Sequence, residues 1–165
     1  MRILYIKQKV FKITDHYPVL DEAGNAVYYV NEEFKFFKKT FHVTNGQGAH
    51  LFTINKEVLT FLPLYIVRFH DGKELKISSR FTFLRRKIDI DSGGLGYYLE
   101  GDFLGFNYSL YDRNNVLIGK VHKKWMSWGD TYILEVGKEA DEQVFIAVLI
   151  AVDQIIDDAN SKTNT

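Results

Sequence analysis

Apolar and polar positions alternate through most of the chain, in short segments rich in Ile, Val, Tyr, Phe and Thr. A period of two residues is typical of strands that bury one face, and short strands separated by polar turns are typical of a barrel or sandwich. The predicted strands lie near residues 3–13, 17–20, 26–34, 36–43, 50–55, 58–61, 64–70, 74–79, 80–89, 96–101, 105–111, 116–124 and 131–136. The pattern therefore predicts a mainly β fold.

Polar clusters that contain Gly or Asn separate several of these segments. Four clusters, at residues 21–25, 44–48, 70–73 and 112–115, stand between two alternating stretches. Gly and Asn adopt the positive φ angles of tight hairpins at low steric cost. Each cluster therefore predicts a β-hairpin, and the set predicts an antiparallel meander.

The pattern changes near the C-terminus. Residues 144–152 form an uninterrupted apolar run, with acidic residues before it and no Gly or Pro in residues 153–158 after it. These features predict a helix over about 140–158, followed by a frayed polar tail at 160–165. Because the middle of this helix is apolar on every side, the rest of the protein must surround it.

Only the strands can surround this helix. A closed antiparallel barrel of about 12 strands is wider than an eight-stranded barrel, which side chains fill, and narrower than the barrels of 16 to 18 strands that enclose a channel. A helix with its side chains is about 10–12 Å wide, so we predict that the barrel encloses it in a single domain over residues 1–159. We expect Asp157 at the barrel mouth, whereas Asp153 lies either there or buried with hydrogen-bond partners.

Charge and composition exclude several function classes. The 21 Lys and Arg residues balance the 21 Asp and Glu residues, so no overall field attracts nucleic acid, and we predict no nucleic-acid partner. The absence of Cys excludes disulfides and favours a cytoplasmic location. The N-terminus lacks the apolar core of a signal peptide, and the apolar run at 144–152 is too short to span a membrane, so we predict no transmembrane segment.

Four ordered segments, at residues 5–11, 20–30, 119–125 and 152–157, carry a resemblance to a known family. In these segments and their spacing the chain resembles the LURP-one-related family, particularly its short bacterial members. That family is grouped with the phospholipid scramblases and the C-terminal domains of Tubby proteins, whose fold is a twelve-stranded barrel around a hydrophobic C-terminal helix. The resemblance therefore implies the same Tubby C-terminal-like architecture that the hydrophobic pattern predicts.

The same resemblance implies less about activity. Tubby domains bind phosphoinositides, and scramblases are linked to calcium-dependent lipid movement. The proposed calcium-binding segment of scramblases is similar to residues 130–136, with Glu139 near its last acidic position. The chain departs from this segment at Trp128, where the first acid would stand, and that departure argues against calcium binding and scrambling.

No catalytic or metal-binding set stands out in the sequence. The five histidines are scattered and lack the H-E-x-x-H spacing of zinc enzymes, and no thiolate is present to complete a closed zinc site. The G-x-S-x-G turn of serine hydrolases does not occur either. We therefore predict a protein that is not an enzyme and that uses no metal and no cofactor.

Three basic clusters are candidates for binding: Lys35 with Lys38 and Lys39, residues 85–87, and Lys120 with His122, Lys123 and Lys124. Alternate residues of a strand share a face, so Lys120, His122 and Lys124 align. Trp125 and Trp128 follow them, and Trp favours a membrane interface. Lys120, His122, Lys124 and Trp125 are therefore the predicted site for an anionic headgroup.

We favour a non-enzymatic barrel that acts as a binding or scaffold module with an unassigned ligand. The alternative is a peripheral protein that binds anionic lipid or phosphoinositide headgroups through this basic strand face. At roughly 1 kcal/mol per basic residue, three charges give weak adhesion, so a merely solvated strand face is the competing explanation. A small-molecule carrier would require an empty interior. The predicted partners are thus anionic headgroups or another protein, and the oligomeric state stays open.

Overall fold

The chain forms a closed barrel of twelve antiparallel strands with one long C-terminal helix, as predicted. The computed structural model describes residues 1–7, 15–35, 38–57, 60, 62–81, 86–91, 96–126 and 129–163. The strands are β1 (Arg2–Lys7), β2 (His16–Leu20), β3 (Ala26–Lys35), β4 (Lys38–Asn45), β5 (His50–Glu57), β6 (Leu64–Phe69), β7 (Glu74–Phe81), β8 (Arg86–Asp91), β9 (Tyr97–Asp102), β10 (Asn107–Asp112), β11 (Leu117–Met126) and β12 (Gly129–Val136). A 3₁₀ turn at Glu139–Asp141 leads into the helix α1 (Glu142–Thr163). Each strand pairs with its sequence neighbours, and β1 pairs with β12 to close the barrel.

Alternate side chains of neighbouring strands meet inside the barrel. Phe41 and Val43 of β4 stand opposite Ile54 and Phe52 of β5, and all four are buried. The period of two in the sequence is therefore the period with which the strands present side chains to the interior.

The four predicted hairpins are present, joining β2 to β3, β4 to β5, β6 to β7 and β10 to β11. In the first, Asp21 Oδ1 accepts hydrogen bonds from the backbone N–H groups of Ala23 at 2.9 Å and Asn25 at 2.8 Å. Gly24 has a φ of 82°, which a residue with a side chain adopts only with strain. The turn that begins at Asp112 is built in the same way.

The helix lies inside the barrel, as its apolar sequence predicts. Every residue from Val144 to Val152 is buried. On β11, Gly119 leaves room for the ring of Phe145, since a Cβ at this position would lie 2.6 Å from the ring atom Cε1. Glycine therefore permits the close approach of strand and helix at this point.

The helix is longer than predicted. It continues to Thr163 instead of ending near 158. The expected frayed tail is therefore wrong for residues 160–163, while residues 164 and 165 lie outside the described part of the chain. Asp158 accepts hydrogen bonds from Lys56 and Tyr65 of the barrel wall, so tertiary contacts that a polar sequence does not reveal hold the last turns.

The single strand predicted near 80–89 is also wrong. The chain reverses within it: β7 ends at Phe81, β8 begins at Arg86, and these two residues stand opposite each other. The sequence between them contains no Gly, Pro, Asn or Asp, so the alternation passes through the reversal without a turn signal. Residues 8–13 of the first predicted strand and most of the strand predicted near 58–61 lie outside the described residues.

The two ends of the barrel are named by the direction of the helix, which starts at one end and finishes at the other. At the near end α1 starts and the odd-numbered strands begin, and Glu142 in the first turn of the helix accepts a hydrogen bond from Arg2 Nη1 at 2.9 Å. At the far end α1 finishes and the even-numbered strands begin, and Asp158 accepts a hydrogen bond from Lys56 Nζ at 2.6 Å. The helix therefore passes along the barrel from the near end to the far end.

Candidate functional site

The predicted basic face lies on the outer side of β11. Lys120 and Lys124 are exposed and His122 is half-buried, while the intervening Val121 is buried. The register places Glu135 of β12 opposite Lys120, and the carboxylate of Glu135 lies 3.6 Å from His122 Nδ1. A negative charge therefore stands within this face and reduces its positive potential.

Trp125 does not share the outer face of β11. It has the parity of the buried Val121, and it is 76% exposed because β11 continues past the barrel rim. The structure therefore divides the predicted site into two parts. Lys124 and Trp125 lie at the far end, and the other two predicted residues lie on the barrel wall beside Glu135.

Exposed apolar side chains gather at the far end. Apart from the first residue of the chain, the large apolar side chains that are more than half exposed in the described residues are Phe34 at 67%, Leu104 at 57% and Trp125 at 76%. Phe34 and Trp125 stand next to the far ends of β3 and β11, and Leu104 lies in the connection from β9 to β10. Large exposed apolar side chains concentrated at one end of a protein are typical of interaction surfaces.

These three residues are spread around the far rim of the barrel. In the closed ring of twelve strands, the connection from β9 to β10 lies close to β11 but nearly opposite β3. Phe34 has the parity of the buried Val30, as Trp125 has that of Val121, so both continue the inner faces of their strands beyond the rim. The apolar groups therefore border the mouth from which the helix emerges.

Basic residues from all three predicted clusters are also at the far end. The hairpins β3–β4, β7–β8 and β11–β12 turn there, which brings Lys35, Lys38, residues 86–87 and Lys124 to one end of the molecule. Lys38 and Lys124 are exposed, while Arg85 lies outside the described residues. We define the far-end surface as Phe34, Leu104 and Trp125 together with Lys35, Lys38 and Lys124.

Other basic residues at this end hold the helix instead. Lys39 Nζ donates a hydrogen bond to Gln154 Oε1 at 2.6 Å. Lys56 Nζ and the Tyr65 hydroxyl donate to the two carboxylate oxygens of Asp158, at 2.6 and 2.7 Å. Burial and then the negative charge of Asp158 raise the pKa of Tyr65 above its usual value. Lys39, although part of a predicted basic cluster, is therefore engaged in holding α1.

At the near end, a buried carboxylate fixes the start of the helix. Glu142 Oε1 accepts hydrogen bonds from Arg2 Nη1 and from the Tyr28 hydroxyl. Burial, followed by the hydrogen bond and charge of Glu142, raises the pKa of Tyr28 above its usual value. This contact joins β1, β3 and the first turn of α1.

The barrel interior contains a buried polar layer around the helix. The sequence allows two locations for Asp153, and the structure shows the buried one, since Asp153 is 1% exposed. Gln154 Nε2 donates a hydrogen bond to Asp153 Oδ2 at 3.3 Å. Burial, and then the charge of Asp153, raise the pKa of both Tyr17 and Tyr108. Asp157 is half-buried one turn closer to the far end, as expected for the mouth. The space that a small-molecule carrier would need is occupied by the helix.

The acidic positions that resemble a calcium-binding segment are far apart. Asp130 stands near the far end of β12, and Glu139 lies in the 3₁₀ turn beyond its near end. A strand rises about 3.3 Å per residue, so the path from Asp130 to Val136 alone spans about 20 Å. One calcium ion cannot contact both positions, since its ligands lie within about 2.6 Å of it. Trp128 lies outside the described residues. Among the residues that the structure describes, no group of three His, Cys, Asp or Glu side chains could hold a metal ion.

Comparisons with known proteins agree with this architecture. In the described part of the chain, no helix is both long enough and apolar enough to cross a membrane. The chain is 28% identical over 153 residues to the uncharacterized protein YxjI of Bacillus subtilis (strain 168), a match that covers 93% of each chain. An X-ray structure of a protein from Arabidopsis thaliana is similar in fold, with a TM-score of 0.60 and 16% identity over 96% of this chain and 91% of that one. The sequence profile of the LURP-one-related family matches residues 2–153, and the chain therefore belongs to the LURP-one-related family.

Proposed function

We propose that this protein is a non-enzymatic binding module that docks on anionic membranes through its far-end surface. The observation that carries the proposal is the position of Phe34, Leu104 and Trp125, each more than half exposed, around the rim of one end of the barrel. Lysines from β4 and β11 stand at the same end, where they would meet lipid phosphates. An amphiphilic rim of this composition matches the boundary between headgroups and acyl chains.

Apolar insertion would supply most of the binding free energy. Complete transfer of a large apolar side chain out of water contributes about 1.5–3 kcal/mol. A basic residue near an anionic membrane contributes about 1 kcal/mol, and Trp favours the interface because its ring is apolar and its N–H is polar. The proposal therefore does not depend on three aligned charges alone.

The predicted face of β11 has a lesser part in this proposal. Its Lys120 and His122 lie beside Glu135, so the charge of the face is mixed. At the far end, Lys35 forms an ion pair with Glu33, and the two side chains are 71% and 44% exposed. Pairs this exposed contribute at most about 1 kcal/mol, so Lys35 can exchange its partner for a headgroup at little cost.

Four tyrosines whose pKa is raised have structural roles, which is consistent with the proposal. Tyr17 and Tyr108 are buried inside the barrel near Asp153. Tyr28 and Tyr65 donate to the carboxylates that fix the two ends of the helix. These side chains perform structural tasks, which supports a role in binding rather than catalysis.

The test is co-sedimentation with phosphatidylcholine vesicles, prepared with and without phosphatidylserine, at low salt. We expect the unmodified protein to bind only the vesicles that contain phosphatidylserine. A variant with Phe34→Ser, Leu104→Ser and Trp125→Ser should bind at least about tenfold more weakly, because a loss of about 1.4 kcal/mol already produces that change.

The matched control is a variant with Tyr98→Ser and Val116→Ser, which removes two exposed apolar side chains of the near end. It should bind vesicles as the unmodified protein does. Failure of the unmodified protein to bind anionic vesicles at low salt would overturn the proposal, and so would an equal loss of binding in the two variants.

A further inference from the structure

A cavity of about 250 Å³ opens at the near end, opposite the far-end surface. Three separate connections contribute a cationic side chain to its wall: Lys73 from the β6–β7 turn, Arg113 from the β10–β11 turn and Lys138 from the segment before α1. Convergence of three positive charges from distant parts of a chain is unfavourable unless negative charge balances them.

The two carboxylates that the described residues place in the cavity wall are engaged within the protein. Asp112 Oδ1 accepts hydrogen bonds from two backbone N–H groups of its own turn, at 2.8 and 2.9 Å. Asp141 accepts a hydrogen bond from the Tyr97 hydroxyl at 3.4 Å and lies 3.2 Å from Lys138 Nζ. Burial and the charge of Asp141 raise the pKa of Tyr97 to about 12, so this hydroxyl remains a donor at neutral pH.

Lys73 differs from Lys138, which pairs with Asp141. It is half-buried, its ammonium lies 5.9 Å from the centre of the Phe69 ring, and no carboxylate of the described residues stands at ion-pair distance. A partly desolvated ammonium gains more from an anion than a fully solvated one does. The described residues of the wall comprise three cationic side chains and two carboxylates.

We propose that this cavity binds a small oxyanion, of which inorganic phosphate is the simplest example. Lysine binds phosphate as a point charge, and Arg113 adds a second cationic side chain to the wall. The Asn114 amide, also in the wall, supplies a neutral donor. Phosphate carries more negative charge than a carboxylate at neutral pH, so this wall should prefer phosphate to acetate.

This inference goes beyond the proposed membrane docking and does not rest on it. The cavity and the far-end surface share no residue and lie at opposite ends of the barrel. A molecule docked through its far end would present the cavity to water, where a dissolved anion can reach it.

Isothermal titration calorimetry with sodium phosphate, at constant ionic strength set with sodium chloride, tests the inference on the full chain. We expect saturable binding of one phosphate per chain, with a Kd of about 1 mM or lower, and weaker binding of acetate. Lys73→Gln should weaken phosphate binding about tenfold through loss of a charge-assisted hydrogen bond, and Lys73→Arg should retain it.

The matched control is Lys76→Gln, which removes an exposed lysine from β7, three residues from Lys73. This variant should bind phosphate normally, and Lys73→Gln should still bind anionic vesicles as the unmodified protein does. Absence of saturable phosphate binding, equal binding of acetate, or an equal loss in Lys76→Gln would overturn the inference.

Discussion

The hairpins at the two ends of this barrel differ in the side chains that they expose. Near-end turns use Asp, Asn and Gly, and side chains such as Asp21 and Asp112 satisfy the backbone of their own turn. The far-end hairpins instead leave Phe34 and Trp125 in water. An apolar side chain in water adds little to folding stability, so these far-end side chains should matter less for folding than the buried ones.

The largest predicted effect compares the stability lost when a buried and an exposed phenylalanine are replaced. Phe145→Ala empties the space above Gly119 inside the barrel and should lower the free energy of unfolding by about 3–5 kcal/mol, through lost burial and the cavity that remains. Phe34→Ala, at the far end, should change it by less than about 0.5 kcal/mol. Urea unfolding measures both values, and similar losses in the two variants would contradict the assignment of inside and outside.

The two contacts that hold the helix should differ by a smaller amount. Glu142→Ala, at the near end, removes a buried acceptor from Arg2 and Tyr28 and should cost about 1–3 kcal/mol of stability. Lys56→Ala, at the far end, leaves the hydrogen bond from Tyr65 to Asp158 in place and should cost about 1 kcal/mol or less, because the side chains of Lys56 and Asp158 are 29% and 23% exposed. Urea unfolding would contradict this account if the far-end variant lost more stability.

The smallest predicted effect separates two lysines of one strand. Lys124→Gln should weaken binding to vesicles that contain phosphatidylserine about fivefold, which corresponds to about 1 kcal/mol for a basic residue at the membrane surface. Lys120→Gln should weaken it less than about twofold, because Lys120 lies on the barrel wall opposite Glu135. Co-sedimentation over a lipid titration measures both, and the reverse order would favour the wall of β11 as the binding face.

Much of the fold follows from local patterns in the sequence. The buried helix is predictable because residues 144–152 are apolar on every side, and the near-end hairpins are predictable because their turn residues act on their own backbone. The reversal between Phe81 and Arg86 has no such residues. The last turns of α1 depend on Lys56, which is distant in sequence, so the local pattern could not locate the end of the helix.

The candidate site is only partly predictable. Alternation along β11 correctly groups Lys120 with Lys124, but the negative charge of Glu135 enters through strand register, which a local pattern does not contain. In the sequence, Phe34 looks like one more apolar position of a strand. It is exposed because it lies near the end of β3, beyond the barrel rim. Antiparallel connectivity gathers the three basic clusters at one end, and this becomes visible once the strands are counted correctly.

Trp125 provides the most direct test of docking, because it is one of two tryptophans in the chain and lies on the far-end surface. In a Trp128→Phe variant, the remaining indole emission reports on Trp125 alone. We predict that vesicles containing phosphatidylserine shift this emission to shorter wavelength and that brominated acyl chains quench it, whereas phosphatidylcholine vesicles do neither. Emission that stays unshifted and unquenched at saturating anionic lipid would contradict docking through the far end.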